Sequence, residues 1–221
     1  MYKENIPVAR EGVPFIGIAA LASLVFALLG LVAPALFFLL AVFFILYFFR
    51  DPERIVPACD GCVIAPADGV VVEVSHDVQV PFFEDCHGAA RRFSKVGIFM
   101  NVFDVHVNRA PVRGTVLDVQ WMPGRFMSAD RLAASIENER CAMLLEDDCG
   151  RPVTVVQVAG LVARRIVCRA ERGDNLEAGA RYGLIRFGSR VDIYLPDRYA
   201  VHVREGERVM AGQSIIGAVR R

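Results

Sequence analysis

The feature that most constrains this chain is an apolar segment from Phe15 to Phe49, which contains no Asp, Glu, Lys, Arg or His in 35 residues. A core helix of a soluble protein does not need so long an uncharged run, whereas a bilayer span needs roughly 20 predominantly apolar residues. One continuous helix of this length would reach about 52 Å, which is too long for an ordinary span. We therefore expect the segment to fix the chain in or on a membrane.

The middle of this segment predicts a bend. Gly30 and Pro34 lie there, and proline kinks or ends a helix because it lacks a backbone donor. A helical hairpin over about 15–49, within a membrane-anchoring segment of residues 1–50, is the favoured interpretation. A signal peptide is the alternative, but the run is too long and no small-residue cleavage site follows it.

The charges beside the segment bear on its orientation. Basic residues flank both ends of the segment, so the difference in positive charge that orients a single transmembrane helix is missing. This favours both ends on one side of the cell membrane, with a peripheral or hairpin-anchored chain whose remaining part is cytoplasmic. Whether the hairpin spans the bilayer or only dips into it stays open.

Composition excludes some classes of function. The formal net charge is zero, whereas a general nucleic-acid binder needs an excess of Lys and Arg, so no nucleic-acid partner is expected. The six cysteines follow no regular framework, and scattered reduced thiols fit a cytoplasmic domain. Cys59 and Cys62 form a C-x-x-C without a second ligand pair, so we interpret it as a turn and expect no metal.

Residues 51–221 are predicted to form one mainly β domain. Short β-branched runs alternate there with Gly, Pro and Asp, as in strands joined by tight turns. Ser128–Cys141 is the one helix candidate, because Leu132 and Ile136 recur among alanines and charged residues. The predicted fold class is mainly β (α+β), with an antiparallel sheet or barrel-like sandwich and one helix. The predicted strands are Gly69–Val74, Val96–Met100, Gly114–Gln120, Pro152–Ala159, Leu161–Arg169, Arg190–Leu195 and Ser214–Val219.

Two stretches, 65–71 and 205–213, resemble the hairpins of biotinyl- and lipoyl-type domains. The pattern is weak, because any tight turn that needs glycine gives a similar sequence. The only lysines are Lys3 and Lys95, and neither stands at a hairpin tip. A lipoylated module is therefore excluded.

Two short stretches carry residues that are suited to chemistry. Asp104 and His106 are two positions apart, so on a strand their side chains would share one face. A histidine in a strand-rich domain is nevertheless more often structural than catalytic. The pair Gly188-Ser189 lies between two strand-like runs, where such a pair is usually a turn or bulge. It also has a chemical interpretation, in which the hydroxyl attacks the open glycine carbonyl and elimination from the ester leaves a pyruvoyl group.

Motifs across nearly all of the β-rich part resemble those of the phosphatidylserine decarboxylases in their short prokaryotic (type A) form. They occur in the order found in that family, and the stretch 182–192, which contains Gly188-Ser189, is the most specific. The other matching segments are 49–54, 65–69, 104–111, 137–140, 159–160 and 163–165.

This resemblance implies a self-processing enzyme. The chain would cut itself between Gly188 and Ser189 into a β chain of residues 1–188 and an α chain of residues 189–221, which form a heterodimer. Ser189 would become a covalently bound pyruvoyl group, the cofactor of the family. Its carbonyl accepts electrons as phosphatidylserine loses CO2 and becomes phosphatidylethanolamine.

The resemblance also implies roles for individual side chains. His106, oriented by Asp68, would be the base for the Ser189 hydroxyl, as in a Ser-His-Asp triad, and would later supply a proton to the product. Longer family members carry a second histidine where this chain has Arg109, so the division of roles between two histidines does not carry over. Arg109 and Arg190 are candidate contacts for the substrate phosphate or carboxylate, and a structural role is the alternative for Arg190.

Two other classes of function are the alternatives. A membrane-anchored adaptor with a lipoyl-like β-sandwich would have no catalysis and would stay intact at 24.4 kDa. An anchored metallopeptidase would need a ligand set such as H-E-x-x-H, which does not occur. The resemblance implies phosphatidylserine and membrane phospholipids as partners, and it leaves acyl-chain preference and higher oligomers undetermined.

Overall fold

The computed structural model describes residues 7–83, 92–129, 134–161, 165–186 and 188–220. The chain divides into two compact units, Met1–Glu53 and Arg54–Arg221. The described part of the first unit is helical, and that of the second is mainly β.

The first unit contains the predicted helical hairpin. A 3-10 turn at Arg10–Gly12 leads into helix α1, Val13–Leu28, and helix α2 spans Val32–Phe48. Between the helices Gly30 has a φ of +72°, a left-handed conformation that glycine adopts without the steric cost of a Cβ atom. Pro34 is the third residue of α2, where the missing N–H costs nothing because the first turn has no intrahelical acceptor for it. The bend is therefore made by Gly30.

The two helices pack antiparallel. The Ser23 hydroxyl donates to the Ala35 carbonyl at 2.9 Å, and the rings of Phe26 and Phe38 stack with centroids 5.5 Å apart. Many other large apolar side chains of the hairpin are exposed, among them Ile18, Leu21, Leu28, Val32, Leu40 and Phe43. A contiguous apolar surface of this kind is typical of a protein–protein or membrane contact.

One helix of the hairpin meets the requirement for crossing a membrane by length and composition. It is the 19-residue segment Arg10–Leu28, which includes α1 and the preceding turn. The second helix has 17 residues and is a shorter apolar helix. The N-terminal unit is thus suited to membrane anchoring, as the sequence predicts.

The second unit consists of short strands and one short helix in its described residues. Helix α3 is Ala134–Glu137. The strands are β1 Cys62–Ile64, β2 Gly69–Val78, β3 Phe93–Met100, β4 Val107–Arg109, β5 Gly114–Met122, β6 Arg140–Asp147, β7 Pro152–Val158, β8 Ile166–Cys168, β9 Asn175–Leu176, β10 Arg181–Ile185, β11 Ser189–Pro196, β12 Tyr199–Val201, β13 Arg208–Val209 and β14 Ile215–Val219.

Eight of these strands form one large antiparallel sheet, in the order β13-β2-β3-β11-β7-β6-β5-β9. Two smaller antiparallel sheets have the orders β1-β14-β12 and β4-β10-β8. One hydrophobic core joins the large sheet to both smaller ones, and it includes Val63, Ile98, Tyr182, Ile185, Val191 and Ile216. The predicted fold class, mainly antiparallel β with little helix, is confirmed.

The prediction of a helix over Ser128–Cys141 is wrong for most of its described residues. The described helix is only Ala134–Glu137, residues 130–133 lie outside the described residues, and β6 begins at Arg140. The cause is the apolar run that begins at Cys141 and is buried on both faces of the sheet. Periodicity alone cannot distinguish such a buried strand from a buried helix.

Two further corrections concern short strands. The strand predicted over Leu161–Arg169 is limited to Ile166–Cys168 in the described residues. Strand β10, Arg181–Ile185, was not predicted, although it leads directly to the Gly-Ser pair. Both are short strands of a small sheet, in which pairing with neighbours rather than local propensity decides the structure.

The two stretches that resemble lipoyl-type hairpins are neighbours in the structure. The Ala65 N–H donates to the Ser214 carbonyl at 2.8 Å, and the Gly212 N–H donates to the Ala65 carbonyl at 2.9 Å. Strand β13 also pairs with the start of β2. Their similarity therefore reflects a shared structural role, in which two glycine-containing turns pack against one another.

Cys59 and Cys62 lie at the two ends of the predicted turn, and β1 begins at Cys62. Gly61 has a φ of +71°, which suits a tight turn. The two cysteines are joined by a disulfide bond, so the expectation of reduced thiols is wrong for this pair. Cys141, Cys149 and Cys168 are free.

Candidate active site

Ser189 is the first residue of β11, where the chain has just crossed from a small sheet to the large one. Strand β10 ends at Ile185, so three residues make the crossing. Ser189 pairs with Met100 of β3 and is completely buried. Within the described part of the chain, its Oγ atom has no hydrogen-bond partner. Leaving a buried hydroxyl unpaired costs about 1–3 kcal/mol, so a chemical role is the best explanation for a serine here.

Gly188 carries the carbonyl group that the Ser189 hydroxyl would attack. Its φ is +55°, in the left-handed region that costs other residues roughly 1–2 kcal/mol. A methyl group on Gly188 would meet no atom of the described residues within 4 Å, its chain neighbours aside, so among these residues the need for glycine is conformational rather than steric. The backbone conformation immediately before β11 therefore favours glycine at this position.

Two buried amides, which sequence reasoning did not assign, lie on the same face of the large sheet as Ser189. Gln157 of β7 pairs with Val191, which is two residues after Ser189, so their side chains share one face. Gln157 Nε2 donates to Asn108 Oδ1 at 2.8 Å, and Asn108 Nδ2 lies 3.8 Å from the Met100 sulfur. Because Met100 is the strand partner of Ser189, this polar pair is close to the candidate cleavage site.

His106 lies immediately before β4, and the fold brings it towards the same region. The Ile185 N–H, at the end of β10, is 3.4 Å from the His106 carbonyl. The His106 side chain is 2% exposed. Since Asn108 follows two residues later and reaches Met100, His106 and Ser189 lie near the junction of β4, β10 and β11.

Asp68 lies in the turn between β1 and β2. Its Oδ2 accepts a hydrogen bond from Arg54 Nη2 at 2.8 Å, and its Oδ1 accepts one from the Ala211 N–H at 2.7 Å. Burial raises the pKa of this carboxyl, and the bonds from Ala211 and Arg54 offset only part of the rise. The nearby charge of Asp104, which forms an ion pair with Arg208, adds to the rise. A carboxyl with a raised pKa inside a cluster of charges is typical of functional sites.

The two arginines that were candidate substrate contacts are both buried. Arg109 is 4% exposed, and its Nη1 donates to the Gly179 carbonyl at 3.1 Å. Arg190 is completely buried, and as the residue after Ser189 it points to the opposite face of β11. There it forms ion pairs with Glu73 and Asp192. These contacts favour a structural role for both arginines.

Arg190 belongs to a buried ionic network on the face of the sheet that Ser189 does not use. Lys95 Nζ lies 2.8 Å from Glu73 and 3.5 Å from Asp192, and the Ser135 hydroxyl donates to Asp192 at 2.6 Å. Burial alone would raise the pKa of Glu73, but Lys95 and Arg190 together hold it below its ordinary value of 4.5. Removing one charged side chain of this network would leave an oppositely charged partner buried without compensation.

Glu73→Gln is expected to destabilise the fold and to weaken its response to acid. At pH 7 the loss should be about 3 kcal/mol, or about 6–12 °C in Tm for a domain of this size. Because the folded-state pKa of Glu73 is lowered, its ionised form stabilises the fold above pH 4.5, and this contribution is lost as the pH falls through the folded-state pKa. Thermal unfolding in detergent between about pH 7 and pH 3 measures both effects.

The exposed Glu146 provides the control for this variant. Glu146→Gln should unfold within about 1–2 °C of the unchanged chain at each pH, because surface substitutions usually change stability little. Equal unfolding temperatures of the two variants at pH 7 would contradict the assigned role of the network.

No metal-binding cluster of three or more His, Cys, Asp or Glu side chains occurs among the residues for which the structure gives positions. Cys86 and His87 lie outside those residues. Phe187, Ala163 and Arg164, which belong to matching motifs, also lie outside them. The structure brings the buried hydroxyl of Ser189 near two buried amides, Asn108 and Gln157.

Comparisons with known proteins cover nearly the whole chain. The model of a family described as phosphatidylserine decarboxylase matches residues 41–217. A protein named phosphatidylserine decarboxylase proenzyme from Nitratidesulfovibrio vulgaris is 50% identical over 98% of this chain and 96% of its own length. Proteins of the same name from Geobacter metallireducens and Desulfotalea psychrophila are 49% and 48% identical, over 98% and 99% of this chain and 99% and 100% of their own lengths.

Proposed function

The chain belongs to the phosphatidylserine decarboxylase family, and from this premise we propose that it is a precursor that cuts itself between Gly188 and Ser189. The mature enzyme then converts phosphatidylserine into phosphatidylethanolamine and CO2. Its α chain, residues 189–221, stays bound to the β chain, residues 1–188, because β11 lies between β3 and β7 inside the large sheet. The alternatives of a non-catalytic adaptor and a metallopeptidase have no support from the curated relatives.

One observation carries the self-cleavage proposal. The Ser189 hydroxyl is completely buried and unpaired within the described residues, and it directly follows a glycine in the left-handed conformation. A serine that only served a turn would be expected to contact water or to form a hydrogen bond with the backbone. A hydroxyl kept free beside an open carbonyl is instead suited to attack on that carbonyl.

The cleavage proceeds in balanced steps on the chain itself. Ser189 Oγ bonds to the Gly188 carbonyl carbon, the C–N bond breaks, and the hydroxyl proton passes through a base to the freed amine. The resulting ester loses the Cα proton of Ser189 to a base, the Cβ–Oγ bond breaks, and Gly188 leaves as a carboxylate. Addition of water at Cα and release of ammonia leave a pyruvoyl group, so the α chain has no free amino terminus.

His106 is assigned as the base, with Asp68 as the residue that orients it. His106 is buried near the junction where Ser189 begins β11. A carboxylate has about four lone-pair positions, and the bonds from Arg54 and Ala211 use one on each oxygen of Asp68. Asp68 therefore retains acceptor capacity for an imidazole N–H. In the mature enzyme, His106 supplies the proton that the product needs after CO2 leaves.

A pyruvoyl group fits position 189. It has one heavy atom fewer than the serine from which it is made, and the site of Ser189 is a closed, strand-bound position. When present, its carbonyl condenses with the substrate amine and accepts the electrons that CO2 leaves behind. Asn108 and Gln157 supply polar groups on the same face of the sheet.

The apolar hairpin explains how the enzyme meets a lipid. Substrate and product both remain in the bilayer, and the segment Arg10–Leu28 is long and apolar enough to enter it. We therefore place the chain at the cell membrane, and the basic residues at both ends of the apolar segment favour the cytoplasmic side for the catalytic unit.

Decarboxylation is expected to stop when carbonyl groups of the mature enzyme are blocked with phenylhydrazine. The detergent-solubilised chain is treated, transferred to phosphatidylserine vesicles, and assayed for phosphatidylethanolamine by mass spectrometry. Activity should fall in proportion to labelling, and the adduct should be on the first residue of the 189–221 chain. Full activity in a completely labelled protein, or an adduct located only elsewhere, would contradict the proposed cofactor.

A further inference from the structure

Gly160, which follows β7, lies directly against the carbonyl group of the bond to be cut. A Cβ atom on Gly160 would overlap the Gly188 carbonyl oxygen and would lie 2.9 Å from the carbonyl carbon. The hydrogen that occupies this position in glycine therefore points at the oxygen, in a weak Cα–H···O contact. Gly160 is not in the left-handed conformation, so the glycine is required here for space.

Asn138 holds the chain in place just before Gly160. Asn138 is completely buried, and its Nδ2 donates to the carbonyls of Ala159 at 2.7 Å and Met127 at 2.8 Å. The Ala159 N–H in turn donates to the Glu139 carbonyl at 2.9 Å. Both polar backbone groups of Ala159 are thus fixed, and they determine where Gly160 lies.

We propose that Asn138 and Gly160 position the Gly188 carbonyl for attack by the Ser189 hydroxyl. This inference rests on the proposed self-cleavage and names the residues that prepare its first step. Strand β11 holds the Ser189 nucleophile in place by pairing with β3 and β7. Gly160 holds the oxygen of the Gly188 carbonyl group, whose carbon the nucleophile attacks. Both are positioning residues, since neither takes part in the exchange of bonds.

The displacement caused by a side chain at position 160 should be large enough to measure. The Gly188 carbonyl must move away from a methyl group at Gly160, because real Cβ atoms do not approach a carbonyl carbon to 2.9 Å. A misplacement of about 1 Å can lower a rate by about 100-fold. Gly160→Ala should therefore slow cleavage far more than its effect on stability explains.

Gly114, at the start of β5, is the matched control. A Cβ atom there would overlap the Glu146 carbonyl oxygen and would also lie 2.9 Å from the carbonyl carbon. Strand β5 is separated from β11 by β6 and β7 in the large sheet. Gly114→Ala thus crowds a backbone carbonyl in the same way without contact with Gly188.

The experiment follows the self-cleavage of full-length chains made by cell-free translation. Denaturing electrophoresis gives the rate at which fragments 1–188 and 189–221 appear, and thermal unfolding gives the stability. Gly160→Ala is expected to cleave at least about 100-fold more slowly than the unchanged chain, and Gly114→Ala within about threefold of it. Equal rates for the two variants would overturn the inference, whereas an unchanged chain that never cleaves would contradict the proposed function itself.

Hydroxylamine identifies the step that is slowed, because it cleaves esters much faster than peptide bonds. Uncleaved Gly160→Ala should release no fragments with hydroxylamine, since attack by Ser189 has not occurred. Release of fragment 1–188 would mean that the ester forms and accumulates, and this result would overturn the assignment to the attack step.

Asn138→Asp tests the same positioning without a larger side chain, and it serves as the test if Gly160→Ala does not fold. It keeps the size of the side chain and the Oδ1 acceptor but removes the N–H donors to Ala159 and Met127. Cleavage should slow by at least about tenfold in chains that still unfold cooperatively. Cleavage at the unchanged rate would overturn the inference.

Discussion

The Ser189→Ala chain is expected to remain a single species of about 24.4 kDa and to produce no phosphatidylethanolamine. Alanine has no hydroxyl to attack the Gly188 carbonyl, so neither the ester nor the cofactor can form. The loss of decarboxylation should be complete rather than partial, because the proposed prosthetic group is made from this residue. Denaturing electrophoresis and a product assay on phosphatidylserine vesicles measure both effects.

Ser94→Ala is the control for this variant. Ser94 is a second buried serine, on the neighbouring strand β3, and its hydroxyl lies 2.9 Å from His76 Nδ1. Its removal takes away one hydrogen bond in the same sheet but leaves the cleavage site unchanged. We expect Ser94→Ala to cleave like the unchanged chain. Cleavage of Ser189→Ala after Gly188 would refute the attack by Ser189.

His106→Ala is expected to slow self-cleavage by about 10²–10⁴-fold, the usual contribution of a general base. The buried position of His106 leaves a cavity after truncation, so added imidazole should restore part of the rate. A purely structural histidine would give a less stable chain that imidazole does not accelerate. Time courses of fragment formation with and without imidazole separate the two roles.

His202→Ala provides the comparison, because His202 is exposed and lies outside the candidate site. This variant should cleave at the unchanged rate with or without imidazole. If His106→Ala also cleaved at the unchanged rate, another group would have to be the base. The role of Asp68 in orienting His106 would then lose its basis as well.

The hairpin and the Gly-Ser pair could be predicted because their signals are local. An uncharged run fixes an apolar helix, and glycine in the middle of it supplies a bend, as Gly30 does. The left-handed φ of Gly188 likewise follows from a residue type that tolerates it. Glycine adopts positive and negative φ with similar ease, so the residue type alone marks where such a conformation is allowed.

Strand β6 could not be predicted, because its structure depends on distant partners. Its residues pair with β5 and β7 on either side, and burial on both faces removes the alternation that marks a strand. Asn138 illustrates the same limit. Its sequence position, between two glutamates, is typical of a solvated surface, yet the fold buries it completely against the Ala159 carbonyl.

Arg190 shows how sequence proximity can mislead. It follows Ser189 directly, which suggested a contact with substrate, but adjacent residues of a strand point to opposite faces. The structure pairs it with Glu73 and Asp192 instead. Gln157 and Asn108 show the converse, because residues far from Ser189 in sequence reach its face through strand register.

The intact mass of the purified protein, combined with amino-terminal sequencing, tests the central proposal most directly. Self-cleavage predicts two chains, residues 1–188 and 189–221. The smaller chain should be lighter by one ammonia than its sequence requires and should resist amino-terminal sequencing. A single chain of 24.4 kDa, or a small chain that begins with an ordinary serine, would contradict the formation of a pyruvoyl group from Ser189.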